Sequence, residues 1–449
     1  MEIPSRCSLS LWFVLMIITQ LLQKSHTVIN SSLLFTPISY FQIPDSFHHS
    51  LLSFPSLPTL VYNGPMHKKI ILILICLCLI ASPASTVGAQ STDSETLRAA
   101  IQHYFELRYQ SMSDLTPLEL SDLLADTSAA AEFWKGEQEK LVIQHAHARQ
   151  FGLRYIRAEF QLDYQWIDLI SRASRKQVVV ELFEGHDVVF EITQPEVSRM
   201  RNQKHVLVWQ KVGNQWKLVS DTYEDVIWSV LRIGKLSPDA LLDKLDNLRV
   251  TLPKVGATAA IQHKIIYQRN AAVEYARNWA TAAPPYNPIY TDFTTMGGDC
   301  TNFVSQAILA GGYDMVSQPN KRGLGAPGWY YTSIMDRSIA WTWVDGLYKL
   351  LIDYPVESPQ APYGSVIRRG DLLPGDIIQY DWGTDPIWNH TVMVTNMLHG
   401  IESDPYPLVA GHSPDVDNYP YQAVQYGDVR FIHIGSMYPV FTAGTSQPK

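Results

Sequence analysis

Cysteine is scarce in this chain. Four occur in 449 residues, and Cys7, Cys76 and Cys78 all precede residue 90. Without that leading segment one thiol is left, Cys300, so no internal disulfide can form and a packed core must supply the stability. Runs of Lys and Arg are absent too. With 35 basic side chains against 43 acidic ones and a net charge of −8, the chain is mildly acidic, which excludes nucleic acid as an expected partner. There is no His-Glu-x-x-His, so a zincin metal site is not expected, nor is any cofactor. Gly411-His-Ser-Pro-Asp415 lacks the closing glycine of a serine nucleophile elbow. No period of the solenoid kind recurs.

Charge is missing most conspicuously near the start. From Ser25 to Pro65 the only carboxylate or basic side chain, histidines aside, is Asp45. Such a stretch neither folds compactly nor makes a solvated linker. We therefore expect residues 1–65 to be an upstream translation artefact or a disordered leader, with a membrane anchor at Leu9–Leu22 as the alternative. Met66 is followed by Lys68 and Lys69, an apolar run from Ile70 to Ile80, and Val87-Gly88-Ala89. Basic start, short apolar centre and small residues before a cut describe a signal peptide over 66–89. The run is too short to cross a bilayer comfortably, so stable membrane insertion of the mature chain is not expected. The expected location is outside the cytoplasm, secreted or associated with a cell envelope.

The remaining length suits two domains, and the expected class is α+β in both. Over 91–235, Leu97, Ile101, Tyr104 and Phe105 recur at helical spacing, and further helices are expected at Leu118–Leu124 and Ala129–Ala148. The period then becomes two: Tyr155–Leu169, Gln177–Phe183, Asp187–Ile192, His205–Lys211 and Gln215–Asp221 read as an antiparallel meander. Gly185-His186 and Gly213-Asn214 read as its tight turns. Helices followed by a meander, ending in the phrase WKLVSDTYED at Trp216–Asp225, resemble the nuclear-transport-factor-2-like fold. Residues 236–264 read as a linker, 265–437 as the second domain and 438–449 as a tail.

The second domain carries the chemistry. Ala272, Tyr275, Ala276 and Trp279 make the inward stripe of an opening helix. In Met296-Gly-Gly-Asp-Cys-Thr-Asn-Phe-Val-Ser-Gln-Ala-Ile-Leu-Ala-Gly-Gly312, two glycines permit a sharp turn and Asp299 is an N-cap type. Gly311-Gly312 is a stop signal. Cys300 is then the first residue of a helix, where unpaired N–H groups and the positive end of the dipole favour thiolate. A nucleophilic cysteine uses that position; a buried, inert one is the plain alternative. Leu373-Pro-Gly-Asp376 reads as a turn feeding a strand. His390 opens the next strand, on the face of Val392 and Val394, and is the expected general base. Leu408, Ala410 and His412 share a face of the neighbouring strand. His412 is placed to orient the ring of His390, with Asp415, and after it Asp417 and Asn418, competing for that role. The oxyanion donors expected are the Cys300 N–H and Asn302, with Asp299 in support. The aromatics at Trp329, Tyr330, Tyr331, Trp341 and Trp343 could line the cleft or simply form core.

GGDCTNFVSQAILAGG, GWYY at 328–331, Trp341, Leu347-Tyr348, GDIIQY at 375–380, HTVMVT at 390–395, AGHSPD at 410–415 and RFIHI at 430–434 together resemble the bacterial putative-amidase domain family. That family looks like a branch of the papain-like amidopeptidases acting on cell walls. The resemblance runs from about Tyr267 to Ile434 and implies a papain-like α+β fold. It places the nucleophile on Cys300, the base on His390 and the orienting residue on His412. It implies amide hydrolysis through a thioester, with a peptide or peptidoglycan-type substrate. A non-catalytic binding module keeping the same fold, or an acyltransferase using the same thioester, are the alternative readings.

Overall fold

A computed structural model describes residues 85–172, 175–252, 266–284, 286–317, 323, 327–353, 358, 360–383 and 387–435. The expected upstream segment 1–65, nearly all of the expected signal peptide, and the 438–449 tail lie outside the described residues. Among those described, no helix is long and apolar enough to cross a membrane.

Helix α1 (Ser85–Asp114) buries Leu97, Ile101, Tyr104, Phe105, Tyr109 and Met112, a stripe at three- and four-residue spacing. Helix α2 (Ser128–Phe151) starts where the Thr127 hydroxyl accepts from the Ala130 N–H, and ends at Gly152 in the left-handed region. Between them the expected helix at Leu118–Leu124 does not form. Pro117 opens the segment, Leu118 and Leu120 are buried, and the backbone pairs outward instead: Ala125 donates to the Leu218 carbonyl at 2.8 Å and Leu218 donates to Leu123 at 2.7 Å. Those inter-segment bonds take the groups a helix would need.

The meander follows as β1 (Tyr155–Arg172), β2 (Arg175–Phe190), β3 (Ser198–Val212) and β4 (Gln215–Tyr223), all antiparallel. Gly213 lies at φ 60° between β3 and β4, the tight turn expected there. Gly185-His186 is not a turn. Strand β2 runs straight through it with a register shift between Glu184 and His186. A Cβ at Gly185 would lie 2.9 Å from Arg201 Cδ, so glycine serves close approach here rather than chain reversal.

Helices α3 (Val226–Gly234) and α4 (Pro238–Leu245) come next. Helix α4 lies in the expected linker, yet Leu241 and Leu245 are buried in the main core, Gln150 on α2 donates to the Leu245 carbonyl and Lys244 donates to the Gly383 carbonyl. This part of the connector is packed structure that touches both halves. Helix α5 (Arg269–Trp279) buries Ala272 and Ala276 as expected, and α6 (Cys300–Ala310) packs beside it. Two short hairpins, β5 (Val316–Ser317) with β6 (Gly328–Trp329) and β7 (Tyr331–Ser333) with β8 (Asp336–Arg337), precede the short helices α7 (Ile339–Thr342) and α8 (Val344–Tyr348). Then come β9 (Gly364–Ile367), β10 (Ile377–Asp381), β11 (His390–Leu398), β12 (Tyr406–Gly411), β13 (Asp415–Pro420) and β14 (Asp428–Ile434).

The fold is α+β with one large antiparallel sheet. Its strand order among the described residues is β1-β2-β3-β13-β12-β11-β10-β14-β9, with β4 also on β3. The two halves expected as separate domains are thus joined edge to edge. Arg201, Met200 and Arg199 of β3 pair with Asp415, Val416 and Asp417 of β13. One core cluster carries Leu97, Trp209 and Leu241 together with Ile378, Tyr380, Val392 and Leu408. A second cluster lies on the opposite face of β10–β12, where Ile377, Met393 and Ala410 meet Phe303, Val304 and Ala307 of α6. Strand alternation makes this division: Ile378 and Val392 share one face, Ile377 and Met393 the other.

The first core contains a buried polar chain. His205 holds Asp221 through Nδ1 and Glu184 through Nε2, and Tyr104 donates to Asp221. Tyr109 donates to Glu184 and also contacts His186, whose other nitrogen meets Tyr419 of β13. Burial alone would push the His205 imidazole down, but the two carboxylates raise it to about 9.

Candidate active site

Cys300 is the first residue of α6, as expected, and its neighbour Asp299 is buried. Asp299 does not cap the helix with its side chain. Its Oδ1 accepts from the Phe293 N–H at 2.9 Å and from Asn302 Nδ2 at 2.9 Å, while Oδ2 faces His412 Nδ1 at 2.7 Å. The carboxylate therefore ties the loop before the helix, the helix itself and the end of β12 together.

His412 Nε2 meets the Trp279 carbonyl at 2.9 Å. A carbonyl cannot donate, so Nε2 carries a proton, and the doubly protonated, positively charged ring is the form that donates to both partners. Burial opposes that charge, and the hydrogen bond to Asp299 overcomes it, so the His412 pKa is raised. The ring lies between Tyr286, stacked at 4.0 Å, and Phe303 at 4.3 Å. His412 was expected to orient His390. It orients Asp299 instead, because Ala410 and His412 face α6.

His390 pairs with Tyr380 across β10 and lies on the Ile378–Val392 face. Its ring stacks on Trp382 at 4.9 Å and on Tyr380 at 5.9 Å. Nε2 is buried with no hydrogen-bond partner, and burial lowers the pKa to about 3, so this imidazole is neutral. The face shared with Val392 and Val394 was read correctly from the sequence. It is the face away from the Met393 side, where α6 packs, and no hydrogen bond joins His390 to Cys300 in this state.

The thiol itself is buried. Burial raises its pKa, against hydrogen bonding from the Thr391 backbone and the Thr301 side chain, which lies 3.8 Å away. The helix start was expected to favour thiolate; desolvation outweighs it here. Asn302, expected as an oxyanion donor, is fully engaged. Its Nδ2 donates to Asp299 and to the Thr291 carbonyl, and its Oδ1 accepts from Trp341 Nε1 at 2.8 Å. Asp415 accepts from the Tyr286 hydroxyl at 2.9 Å and from Asn202 Nδ2 at 2.7 Å. Its carboxyl is pushed up by burial, against the charge of His412, and Tyr286, which donates to it, stacks on the His412 ring.

The structure thus gathers Asp299, Cys300, Asn302 and His412, sets Asp415 one residue further out, and leaves His390 one strand position before Thr391. Of the aromatics, Trp329, Tyr330, Tyr331 and Trp341 are buried core, and Trp343 is exposed. Tyr286, Trp382 and Asn202 had no distinguishing sequence signal. Among the described residues no group of His, Cys, Asp and Glu could hold a metal ion.

Cys300 thus stands at a helix start, beside the buried Asp299–His412 pair and on a helix packed against an antiparallel sheet. Residues 266–434 match the family described as Putative amidase domain. The C-terminal resemblance read from the motifs is therefore shown, and the family's description suggests amide hydrolysis. Cys300, His390 and His412 all fall within the matched amidase segment. The Uncharacterized protein YhbB of Bacillus subtilis (strain 168) is 33% identical over 128 residues, which span 28% of this chain and 37% of that protein. The alignment thus covers well under two thirds of the relative's length.

Proposed function

We infer that the amidase segment hydrolyses an amide bond through Cys300, with His390 as the proton acceptor. The observation that carries this reading is the orphaned nitrogen of His390. A buried imidazole Nε2 without a partner costs about 1–3 kcal/mol of unmet desolvation, and such a group next to the strand residue that contacts a thiol is an available base. His412, by contrast, holds both protons already and serves to position Asp299.

In this reading the resting pair is a neutral thiol and a neutral imidazole. Because the His390 ring lies on the face of β11 away from α6, this reading requires the first residue of the strand to turn over and leave its stack on Trp382 as substrate enters; catalytic hydrogen bonds are often long or poorly aligned in unliganded sites. Nε2 takes the thiol proton as Sγ bonds to the carbonyl carbon, and the oxyanion meets the Cys300 N–H, which has no acceptor within the helix. His390 then gives the proton to the departing amine, leaving a thioester. Water attacks the thioester with His390 again as base, which frees the acid and restores the thiol. Export, read from the leader at 66–89, makes peptide bonds of bacterial cell-wall material the substrate class we propose.

Digestion of purified muropeptides, with released fragments read by mass, tests this reading. The wild-type chain is expected to release fragments with new carboxyl and amino ends, and Cys300→Ala and His390→Ala are not. Undiminished release by Cys300→Ala would overturn it. One observation favours a binding module instead, the closed thiol with no base bonded to it; that reading predicts capture of muropeptides without any fragment.

A further inference from the structure

The segment matched to the amidase family begins at residue 266, yet one side chain far upstream reaches into the framework of its nucleophile. Asn202 sits on β3, just beyond the last pair that joins β3 to β13. Its amide donates to Asp415 Oδ2 at 2.7 Å and to the Ala282 carbonyl at 2.8 Å. The first acceptor opens β13. The second lies in the loop after α5, between Trp279 and Tyr286.

From those two points the contacts run to Asp299, the residue before Cys300. Tyr286 donates to both oxygens of Asp415, at 3.1 and 2.9 Å, and its ring lies on that of His412. His412 bonds Asp299 and the Trp279 carbonyl. Asp299 donates its N–H to the Ser413 hydroxyl at 3.2 Å and is followed by Cys300. Every link is a hydrogen bond or a ring stack, so the start of α6 is held from β12, from β13 and from the loop after α5.

Backbone strain converges on the same place. Asn202, Tyr286 and Ser413 have φ of 59°, 55° and 60°. Tyrosine and serine seldom adopt that region, and asparagine tolerates it. Such conformations persist where surrounding structure over-determines them and cluster at functional sites.

We propose that Asn202 is a positioning residue of the amidase site, and that residues 85–252 complete this site through it. The proposal rests on the amide-hydrolase reading. Asn202 touches neither substrate nor sulfur. It fixes the relation between β13 and the loop after α5, and so sets where the Asp299–His412 pair holds the nucleophile. A docking role alone would require only the β3–β13 backbone pairing; the amide contributes geometry at Cys300.

The experiment uses the full chain. Asn202→Gly removes the amide while keeping a residue suited to φ 59°, and Tyr286→Phe removes the hydroxyl link to Asp415 while keeping the ring on His412. Two readouts are taken for each: steady-state cleavage of purified muropeptides, and the rate of Cys300 alkylation by iodoacetamide at pH 8. The expected signature is a split, kcat lower by at least tenfold with KM within twofold of wild type, and alkylation faster by at least threefold as the brace loosens. Wild-type kcat and alkylation in both variants would overturn the proposal. Should Asn202→Gly fail to fold, Tyr286→Phe decides by the same two numbers. If the wild type cleaves no muropeptide but alkylation still responds to both variants, the positioning role stands and the amidase reading falls. If cleavage is present and neither number moves, the amidase reading stands and the role of Asn202 falls.

Discussion

Asp299 Oδ2 and His412 Nδ1 lie 2.7 Å apart, both almost fully buried, one residue before the thiol of Cys300. Two charges taken out of water are held by mutual attraction and by the hydrogen bonds around them. Removing one leaves the other unpaired, which costs about 3–5 kcal/mol in buried pairs. His412→Ala is therefore expected to destabilise the chain by roughly that amount, read as a lower urea midpoint. Its protonated form is the bound one, so the contribution of this pair is complete below pH 6.5 and fades as pH rises through the raised pKa of the imidazole.

The sulfur of Cys300 is buried and its pKa is raised. At pH 7 the resting chain is expected to react with iodoacetamide more slowly than a cysteine in an unstructured peptide. The rate should climb with pH beyond the range where a free thiol has levelled off. A pH profile of alkylation, followed by mass, checks this; fast reaction at pH 6 would contradict the buried neutral thiol.

His390 is neutral in the folded chain, with its pKa lowered to about 3 by burial. General-base catalysis contributes on the order of 10²–10⁴ in rate, and His390→Ala is expected to lower kcat for muropeptide cleavage by an amount in that range. Loss of less than threefold would remove His390 from the mechanism. The protonated ring is disfavoured in the fold, so its neutral burial adds stability above pH 6.5 that is lost as pH falls toward 3.

His205 offers a second titration, remote from the site. Burial works against its charge and Asp221 with Glu184 restores it, so the folded pKa is about 9 against 6.5 for an ordinary histidine. The proton is held more tightly in the folded state. Stability from this group is full below pH 6.5, declines up to about 9 and is worth on the order of 3 kcal/mol. Urea unfolding across pH 6–10, compared with His205→Ala, should show the decline in the wild type and a flatter curve in the variant.

The sequence made the long-period features visible. The stripe Leu97–Phe105, the alternating runs of the meander and the Gly213 turn all formed, because each is dictated by local spacing and turn chemistry. The helix start at Cys300 and the strand start at His390 were legible for the same reason. What local pattern does not encode is which face of a sheet is offered to which neighbour. His390, Val392 and Val394 share a face in any strand, but only the tertiary fold decides that Met393 meets α6 and Val392 meets the other core. Gly185 misled for a related reason: glycine marks tight turns and close backbone approaches alike, and the Arg201 side chain for which it makes room comes from the next strand, β3. Asp299 likewise had the identity of a cap, while three competing donors claimed its oxygens.

The pairing of β3 with β13 sets a limit on how this chain can be divided. Cutting out 266–434 would uncover the hydrogen-bonding edge of β13 and the side chains of Val416, Tyr419 and Tyr426, which pack in the core shared with the upstream half. A bare strand edge beside an apolar surface invites self-association. The stretch recognisable by descent is therefore shorter than the stretch that shares one sheet and one core: heredity and folding draw their borders in different places along the same polypeptide.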